Sequence, residues 1–184
     1  MTPNEKSKVL SEALPYIKKF FGKTIVIKFG GNAMIDKKLK QSFAKDVVLL
    51  KLVGMNPVVI HGGGPQINKS LNQSGKKPVF QEGIRVTDEE TMAIVANVLD
   101  DVNKEIVKLI KENGGDANSY SNNKKLKIIK VRKLQAQEAS NDLGYVGEII
   151  DIDSSFMEHL KDNGIIPIIA PIGIGSDNKT YNIN

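Results

Sequence analysis

The stretch IVIKFGGNAM, residues 25–34, joins an apolar run that contains one lysine to a pair of glycines. A second stretch, VVIHGGGPQI at residues 58–67, repeats the arrangement and ends its apolar run on three glycines. Short apolar runs that stop at glycine are typical of buried strands in a parallel sheet. The two stretches therefore predict two strands whose carboxyl ends are built from residues without side chains.

A helical pattern follows each of these predicted strands. Residues 36–53 carry apolar residues at helical spacing, namely Leu39, Phe43, Val47 and Leu50. Pro65, just after the second strand, suits the first turn of another helix. Alternating strands and helices indicate parallel strands joined by right-handed crossovers. We therefore predict an α/β fold, a three-layer αβα sandwich around an open and mainly parallel sheet.

Two further helices are predicted on either side of this unit. Residues 5–20 form an amphipathic pattern in which Pro15 should kink or split the helix. The longest pattern covers residues 87–112, where Thr87 and Glu90 stand at the spacing of a capping box. Its apolar stripe is expected to pack on the sheet, and pairing with a second copy of the chain is the alternative.

The last third of the chain predicts a hairpin, a helix and a final strand. Residues 125–131 and 145–153 flank turn residues and are expected to pair, and residues 154–162 are expected to form a helix. The strand is GIIPIIAPIG, residues 164–173. A strand so apolar requires cover on both faces, yet no helical pattern follows it. We therefore expect that the chain is cut before the next element of the fold.

Composition limits the class of protein. The 184 residues suffice for one domain with a sizeable core, and the absence of cysteine excludes disulfides and thiolate metal sites. No apolar stretch approaches the roughly 18 residues of a membrane helix. The first residues include Glu5 and Glu12 and lack the apolar core of a signal peptide. We expect a cytoplasmic protein without a membrane partner.

The net charge of +5 is concentrated in KKLKIIKVRK, residues 124–133. Its lysines alternate in part with Leu126, Ile128 and Ile129, which indicates a strand with one solvated face. A nucleic-acid patch is the alternative, but no aromatic residue interleaves the charges to stack bases. We therefore expect no nucleic-acid partner, and small anionic substrates account equally well for the positive charge.

The glycine groups point to an anion site. In open α/β sheets ligands bind beyond the carboxyl ends of the strands, where Gly30–Gly31 and Gly62–Gly64 lie. Backbone N–H groups there can form a nest, and the following helix adds its positive end. Neither GxxxxGK[ST] nor GxGxxG occurs in the chain. For each glycine group alone, a plain turn or close packing remains the alternative.

Four segments together resemble one family. IVIKFGGNAM, VVIHGGGPQI, GIRVTD at 83–88 and YNIN at 181–184, in this order, resemble the acetylglutamate kinases of the amino-acid kinase family. The resemblance covers the chain from Phe21 onward. Carbamate kinases, glutamate 5-kinases, uridylate kinases and aspartokinases share the glycine loops. GIRVTD and YNIN narrow the choice to acetylglutamate kinases or the related kinases of a carrier-linked aminoadipate in lysine synthesis.

The resemblance implies a reaction and a set of site residues. The reaction moves the γ-phosphoryl of MgATP to the side-chain carboxylate of N-acetyl-L-glutamate, in arginine synthesis. Lys28 would be catalytic, stabilising charge on the transferring group, and the resemblance implies no metal ligand in this chain. The remaining residues would be Gly30, Gly31 and Asn32 for phosphate, and Gly63, Gly64, Arg85 and Asn182 for acetylglutamate.

Plain structural roles compete with three of these interpretations. Arg85 can be a surface arginine paired with Asp88. Lys28 can be a lysine whose stem lies along a strand end while its ammonium reaches water. For His61, which the resemblance does not assign, we expect a satisfied core histidine.

The chain departs from the family pattern at its end. That pattern continues after YNIN into Ala-Asp and then into a nucleotide-binding half, and neither occurs in residues 1–184. We therefore expect an N-terminal helix at 1–22 and an amino-acid-substrate-binding domain at 23–184, without the nucleotide-binding domain. Such a chain would be inactive alone, and a non-catalytic remnant that binds acetylglutamate is the alternative.

The N-terminal helix carries an expectation of its own. Members of the family with such a helix tend to be hexamers inhibited by arginine. The resemblance thus implies a homo-oligomer, a dimer or a hexamer, with arginine as feedback inhibitor. A helix that merely covers the sheet is the alternative.

Overall fold

The computed structural model describes residues 1–121, 128–135 and 142–184. Its helices are α1 (Pro3–Phe20), α2 (Lys37–Leu52), α3 (Gly64–Gln73), α4 (Glu89–Glu112) and α5 (Ser154–Asp162), with a 3-10 turn at Gly31–Met34. Its strands are β1 (Thr24–Phe29), β2 (Asn56–His61), β3 (Phe80–Gln81), β4 (Ile84–Arg85), β5 (Ala117–Tyr120), β6 (Ile129–Lys133), β7 (Gly147–Ile152), β8 (Ile166–Ile169), β9 (Ile172–Gly175) and β10 (Thr180–Asn182).

The first sheet is parallel throughout and has the order β1-β2-β8-β5. Helices α2 and α4 cover one face, where Val47 and Ile106 meet Val59 and Ile168 in one buried cluster. Helix α5 packs beside β8, and its Phe156 contacts Tyr120 of β5. This confirms the predicted three-layer α/β fold with a mainly parallel sheet.

A second sheet has the order β10-β9-β6-β7, in which only the β6–β9 pair is parallel. The antiparallel β6–β7 pair confirms the predicted hairpin where it is described. Lys130 and Arg132 are exposed and pair with Asp151 at 2.7 Å and Glu148 at 2.8 Å on the neighbouring strand. The basic tract therefore forms a strand with one solvated face over residues 129–133, while residues 124–127 lie outside the described ranges.

The predicted single strand at 164–173 is wrong. The chain leaves the first sheet after Ile169 and enters the second at Ile172, with Ala170 and Pro171 between. Pro171 has no N–H to give to a sheet, and the Ile172 N–H donates to the Ala170 carbonyl at 2.8 Å in a tight turn. The apolar run thus supplies one strand to each of two sheets.

The predicted capping box of the longest helix is also wrong. Asp88 is the N-cap of α4, and its carboxylate accepts from the Thr91 N–H at 2.7 Å. Thr87 is buried instead: its hydroxyl donates to the Arg85 carbonyl at 2.8 Å, and its backbone bridges to Gly144. A tertiary contact therefore takes the residue that local spacing assigned to the cap. The apolar stripe of α4 does pack against the core.

Helix α1 runs unbroken through Pro15, so the predicted split does not occur. Proline removes one hydrogen bond from the helix, but α1 has no buried residue, so water can satisfy the freed carbonyl of Ser11. Within the described ranges, no helix is long and apolar enough to cross a membrane.

Candidate functional site

The two glycine loops lie side by side at one edge of the parallel sheet. Strands β1 and β2 are neighbours in register, with Phe29 opposite His61, and the Gly62 N–H donates to the Phe29 carbonyl at 2.9 Å. The residues that follow, Gly30–Gly31 and Gly63–Gly64, therefore leave the sheet at the same end. The sequence predicted that both glycine groups lie beyond the carboxyl ends of their strands.

These loops present backbone N–H groups to open space. Within the described ranges, the N–H groups of Gly30, Gly63 and Gly64 donate to no backbone carbonyl, and the N-cap of α3 receives no side-chain hydrogen bond. A Cβ added at Gly30, Gly31 or Gly64 would meet nothing within 4 Å. Free N–H groups at a helix start, with no side chain above them, are suited to hold an anion.

Gly63 also has a packing role. A Cβ at this position would lie 2.6 Å from Leu99 Cδ2 on α4. The close approach of α4 therefore explains this glycine by itself, whereas open space surrounds Gly64. Close packing therefore accounts for Gly63 but does not account for Gly64.

Lys28 is the next-to-last residue of β1, and its side chain is exposed. On β1 it lies between Ile27 and Phe29. Phe29 is part of the core beneath α2 and α4, and Ile27 packs against that core. Its register partner on β2 is Ile60. Lys28 thus stands on the sheet face opposite that core, two residues before Gly30, and its catalytic role stays a prediction. Asn32 lies in the 3-10 turn that follows this loop.

Arg85 is buried, with 5% of its surface exposed. Its Nη2 donates to Asn68 Oδ1 on α3 at 2.6 Å, and its Cζ lies 4.6 Å from the centre of the Phe80 ring. Nη1 is buried and has no hydrogen-bond partner in the part of the chain that is described. The surface pairing with Asp88 is wrong, because the Asp88 carboxylate pairs with Lys76 at 2.9 Å. Burial lowers the pKa of Arg85.

Asn182 is buried on β10, and an intervening segment connects it to the strand of Arg85. The Asn182 N–H donates to the Tyr145 carbonyl at 2.9 Å, and the Tyr145 N–H donates to the Thr87 carbonyl at 2.6 Å. Segments 85–87, 144–146 and 180–182 therefore lie next to one another. The fold brings the elements of Arg85 and Asn182 together, while the contacts described leave their roles toward a substrate as predictions.

The sequence reasoning missed two side chains on α3. Gln66 Nε2 donates to the Met34 carbonyl at 3.4 Å, which connects the two glycine loops, and Asn68 holds Arg85. Asn68 lies one helical turn after Gly64, on the helix that begins at the glycine loop. That position was the available signal, but only the fold shows that Arg85 approaches this turn.

His61 occupies a core position, as expected, but only one of its ring nitrogens is satisfied. Nδ1 donates to the Gly62 carbonyl at 2.8 Å, and Nε2 is buried with no partner among the described residues. Burial lowers the pKa of His61 below its usual 6.5, so the ring is neutral at pH 7. Within the same ranges, no group of three or more His, Asp or Glu side chains is placed to hold a metal ion.

Known proteins similar to this chain agree with this picture. Residues 23–184 match the Amino acid kinase family. The chain is 58% identical over 189 residues to an acetylglutamate kinase from Methylobacillus flagellatus, covering 100% of this chain and 64% of that protein. It is 54% identical over 191 residues to an acetylglutamate kinase from Azoarcus sp., covering 100% of this chain and 63% of that protein. The chain thus spans less than two thirds of the length of these relatives.

Solved structures share the fold of this chain. An N-acetylglutamate synthase from Neisseria gonorrhoeae, complexed with coenzyme A and N-acetyl-glutamate, superposes with a TM-score of 0.82 at 24% identity, over 95% of this chain and 39% of that one. The protein smu.665 from Streptococcus mutans superposes with a TM-score of 0.76 at 26% identity, over 87% of this chain and 63% of that one. The family match over residues 23–184 shows that the chain belongs to the amino acid kinase family.

Proposed function

We propose that this chain is the amino-acid-substrate part of an acetylglutamate kinase. The reaction transfers the γ-phosphoryl group of MgATP to the side-chain carboxylate of N-acetyl-L-glutamate and yields an acyl phosphate and ADP. The observation that carries the proposal is the pair of open glycine loops at the ends of β1 and β2, in a chain 58% identical to an acetylglutamate kinase. Two sets of N–H groups at one sheet edge suit a phosphoryl group in transfer.

The proposed roles follow from the charges that develop in the reaction. The substrate carboxylate attacks phosphorus directly, so catalysis needs positioning and charge stabilisation and no protein nucleophile. Lys28 stabilises the transferring phosphoryl group, and the loop at Gly30–Asn32 contacts phosphate oxygens. Gly63 and Gly64 donate N–H groups near the acetylglutamate and the phosphoryl group.

Two side chains are assigned to the rest of acetylglutamate. The planar fork of Arg85 suits the α-carboxylate, and its buried, unpartnered Nη1 supports a ligand at that point. Asn182 contacts the substrate from the far side, and segment 144–146, which joins its strand to the Arg85 segment, supports that role.

The nucleotide is proposed to bind mainly outside residues 23–184. These residues form the substrate domain and residues 1–22 the N-terminal helix, a division that the family match from residue 23 supports. Because relatives are longer, at 64% coverage, we assign ATP binding to a further domain and expect residues 1–184 alone to be inactive. Magnesium would arrive coordinated by the ATP phosphates.

The exposed face of helix α1 is the basis for a proposed homo-oligomer, and the reaction is the basis for proposed feedback inhibition. Leu10, Leu14 and Tyr16 are exposed along α1, at 69%, 48% and 66% of their surface, which supports a homo-oligomer, a dimer or a hexamer. Arginine, the end product of the route that contains this reaction, is the proposed feedback inhibitor. A cytoplasmic location accords with such a biosynthetic role.

The test is a kinase assay on the complete polypeptide that carries this sequence. We expect ADP formation that requires acetylglutamate, with the acyl phosphate trapped by hydroxylamine as a hydroxamate. If ADP forms only with carrier-linked aminoadipate, the chain is instead part of a kinase of lysine synthesis. Calorimetric binding of acetylglutamate without any ADP formation would identify a binding remnant.

A further inference from the structure

Two residues contact Arg85 from different sides, and neither has a proposed role in binding the substrate. Asn68 Oδ1 accepts from Nη2 at 2.6 Å, which fixes the guanidinium in its plane. The Phe80 ring covers one face of the guanidinium, at 4.6 Å from Cζ. Together they leave Nη1 buried with no partner in the ranges described.

The Asn68 acceptor is neutral, and this matters for an anion site. A carboxylate at hydrogen-bond distance would also orient the arginine, but it would neutralise the charge that an anionic ligand needs. Within the described ranges, Arg85 forms no ion pair, although burial of an unpaired guanidinium is costly. The charge is therefore oriented and left available.

Asn68 also connects two parts of the site. It lies on α3, one helical turn after Gly64, whereas Arg85 lies on β4 in the short β3–β4 hairpin. The hydrogen bond thus sets the distance between the glycine N–H groups and the guanidinium. Those two groups are assigned to opposite ends of acetylglutamate.

We propose that Asn68 is a positioning residue that presents the Arg85 guanidinium to the α-carboxylate of the amino-acid substrate. This inference rests on the proposed function. It predicts that Asn68 acts on the α-carboxylate alone, through Arg85, and contributes nothing to ATP binding or to the phosphoryl transfer itself.

The experiment uses Asn68→Leu in the complete polypeptide, because leucine keeps the volume and removes the acceptor. We expect KM for acetylglutamate to rise about tenfold, the loss of one hydrogen bond to a charged group, with kcat and the KM for ATP unchanged. Asn68→Asp keeps an oxygen in place but neutralises the charge of Arg85, so it should not recover the affinity for acetylglutamate. Asn72→Leu, one turn further along α3 and exposed, is the matched control and should change neither constant.

A substrate analogue and a double variant separate this role from a merely structural one. Binding of 4-acetamidobutanoate, which lacks the α-carboxylate, should be equal in the unchanged and Asn68→Leu proteins. In an Arg85→Met background, Asn68→Leu should have no further effect on acetylglutamate. An equal penalty with or without Arg85, or a parallel loss for the analogue, overturns the positioning role.

The outcomes also distinguish this inference from the proposed function. If Arg85→Met weakens acetylglutamate and Asn68→Leu does not, only the role of Asn68 fails. If Arg85→Met itself leaves acetylglutamate affinity unchanged while ADP is still formed, the carboxylate assignment of Arg85 fails, and the inference fails with it. Melting temperatures of all variants identify any loss that comes from unfolding.

Discussion

Lys28 is exposed and lies one residue before the end of β1 and two residues before the open loop at Gly30. Replacement by alanine in the complete polypeptide should lower kcat by roughly 10² to 10³, because an ammonium that stabilises transition-state charge is lost. Acetylglutamate binding should change little. Lys23→Ala, at an exposed lysine just before the same strand, is the control. Unchanged turnover in Lys28→Ala would place the phosphoryl group elsewhere.

Gly64 allows the ligand and packing interpretations of the glycine loops to be separated. Its φ lies outside the left-handed region and an added Cβ enters open space, so Gly64→Ala should fold with an unchanged melting temperature. A methyl group would nonetheless stand where the substrate approaches the N–H groups, and we expect turnover to fall about 10²-fold. Steady-state kinetics measure the effect.

The contrasting variant is Gly31→Ala, whose φ of +64° imposes strain on any side chain. It should lose about 1–2 kcal/mol of stability in urea titration as well as activity. A fully active Gly64→Ala protein would mean that no ligand approaches this loop closely.

His61 should make stability depend on pH. Burial lowers its pKa from 6.5, so the unfolded state binds a proton that the folded state excludes. The free energy of unfolding is therefore complete above pH 6.5 and falls as the pH drops below it, until the folded-state pKa is reached. Urea titrations between pH 8 and 5 measure the slope.

The chain offers a matched control for this dependence, because it has only two histidines. His61→Gln should flatten the slope in that pH range. His159→Gln, at an exposed site on α5, should leave it in place. A slope retained by the first variant and lost in the second would contradict the assignment to His61.

At the scale of elements, the start of α4 depends on Asp88. Hydrogen bonds from Thr91 and Lys76 lower the pKa of Asp88 to about 2. Asp88→Ala should cost about 1 kcal/mol at pH 7, since an N-cap is lost. Because the folded pKa is depressed, the contribution of Asp88 is present above pH 3.8 and lost as the pH falls toward 2.

The matched variant for this cap is Asp88→Asn, which keeps the acceptor and removes the charge. Urea titrations at pH 7 and pH 2.5 should show a smaller loss for asparagine than for alanine at the higher pH. A loss in Asp88→Ala that is the same at both pH values would contradict a role for the ionised cap.

The prediction of helices and strands succeeded where a segment has one apolar pattern and packs against one part of the core. Helices α2 and α4 each have one apolar face, and strands β1 and β2 are short apolar runs. All four pack against the core that these patterns require. The prediction failed where tertiary contacts competed with local spacing. Thr87 joins Gly144 in place of capping α4, and Pro171 divides one apolar run between two sheets.

At the scale of the whole molecule, helix α1 is nearly independent of the domain. It has no buried residue, and Ala13, Ile17 and Phe20 are only half-buried. Deletion of residues 1–20 should leave the melting temperature within a few degrees, because little apolar area is lost. If α1 mediates assembly as proposed, light scattering after size exclusion should show a smaller particle.

A conservative variant checks this deletion. Leu10→Ser with Leu14→Ser keeps the helix and removes exposed apolar surface, so it should reduce the oligomer in the same way. An unchanged molar mass in both proteins would assign assembly to another surface.

The sequence by itself determined the fold class and the location of the glycine loops, since apolar periodicity and glycine at strand ends are local properties of the chain. It also supplied Lys28, Arg85 and Asn182 as candidates, through segments that resemble a family. Only the tertiary structure decided which groups lie beside Arg85. Asn68 and Phe80 are 17 and 5 positions away, on other elements, and no local pattern records that their side chains converge. Burial, which leaves Nη1 of Arg85 and Nε2 of His61 without partners, depends on how all layers pack, and is likewise decided by the folded chain.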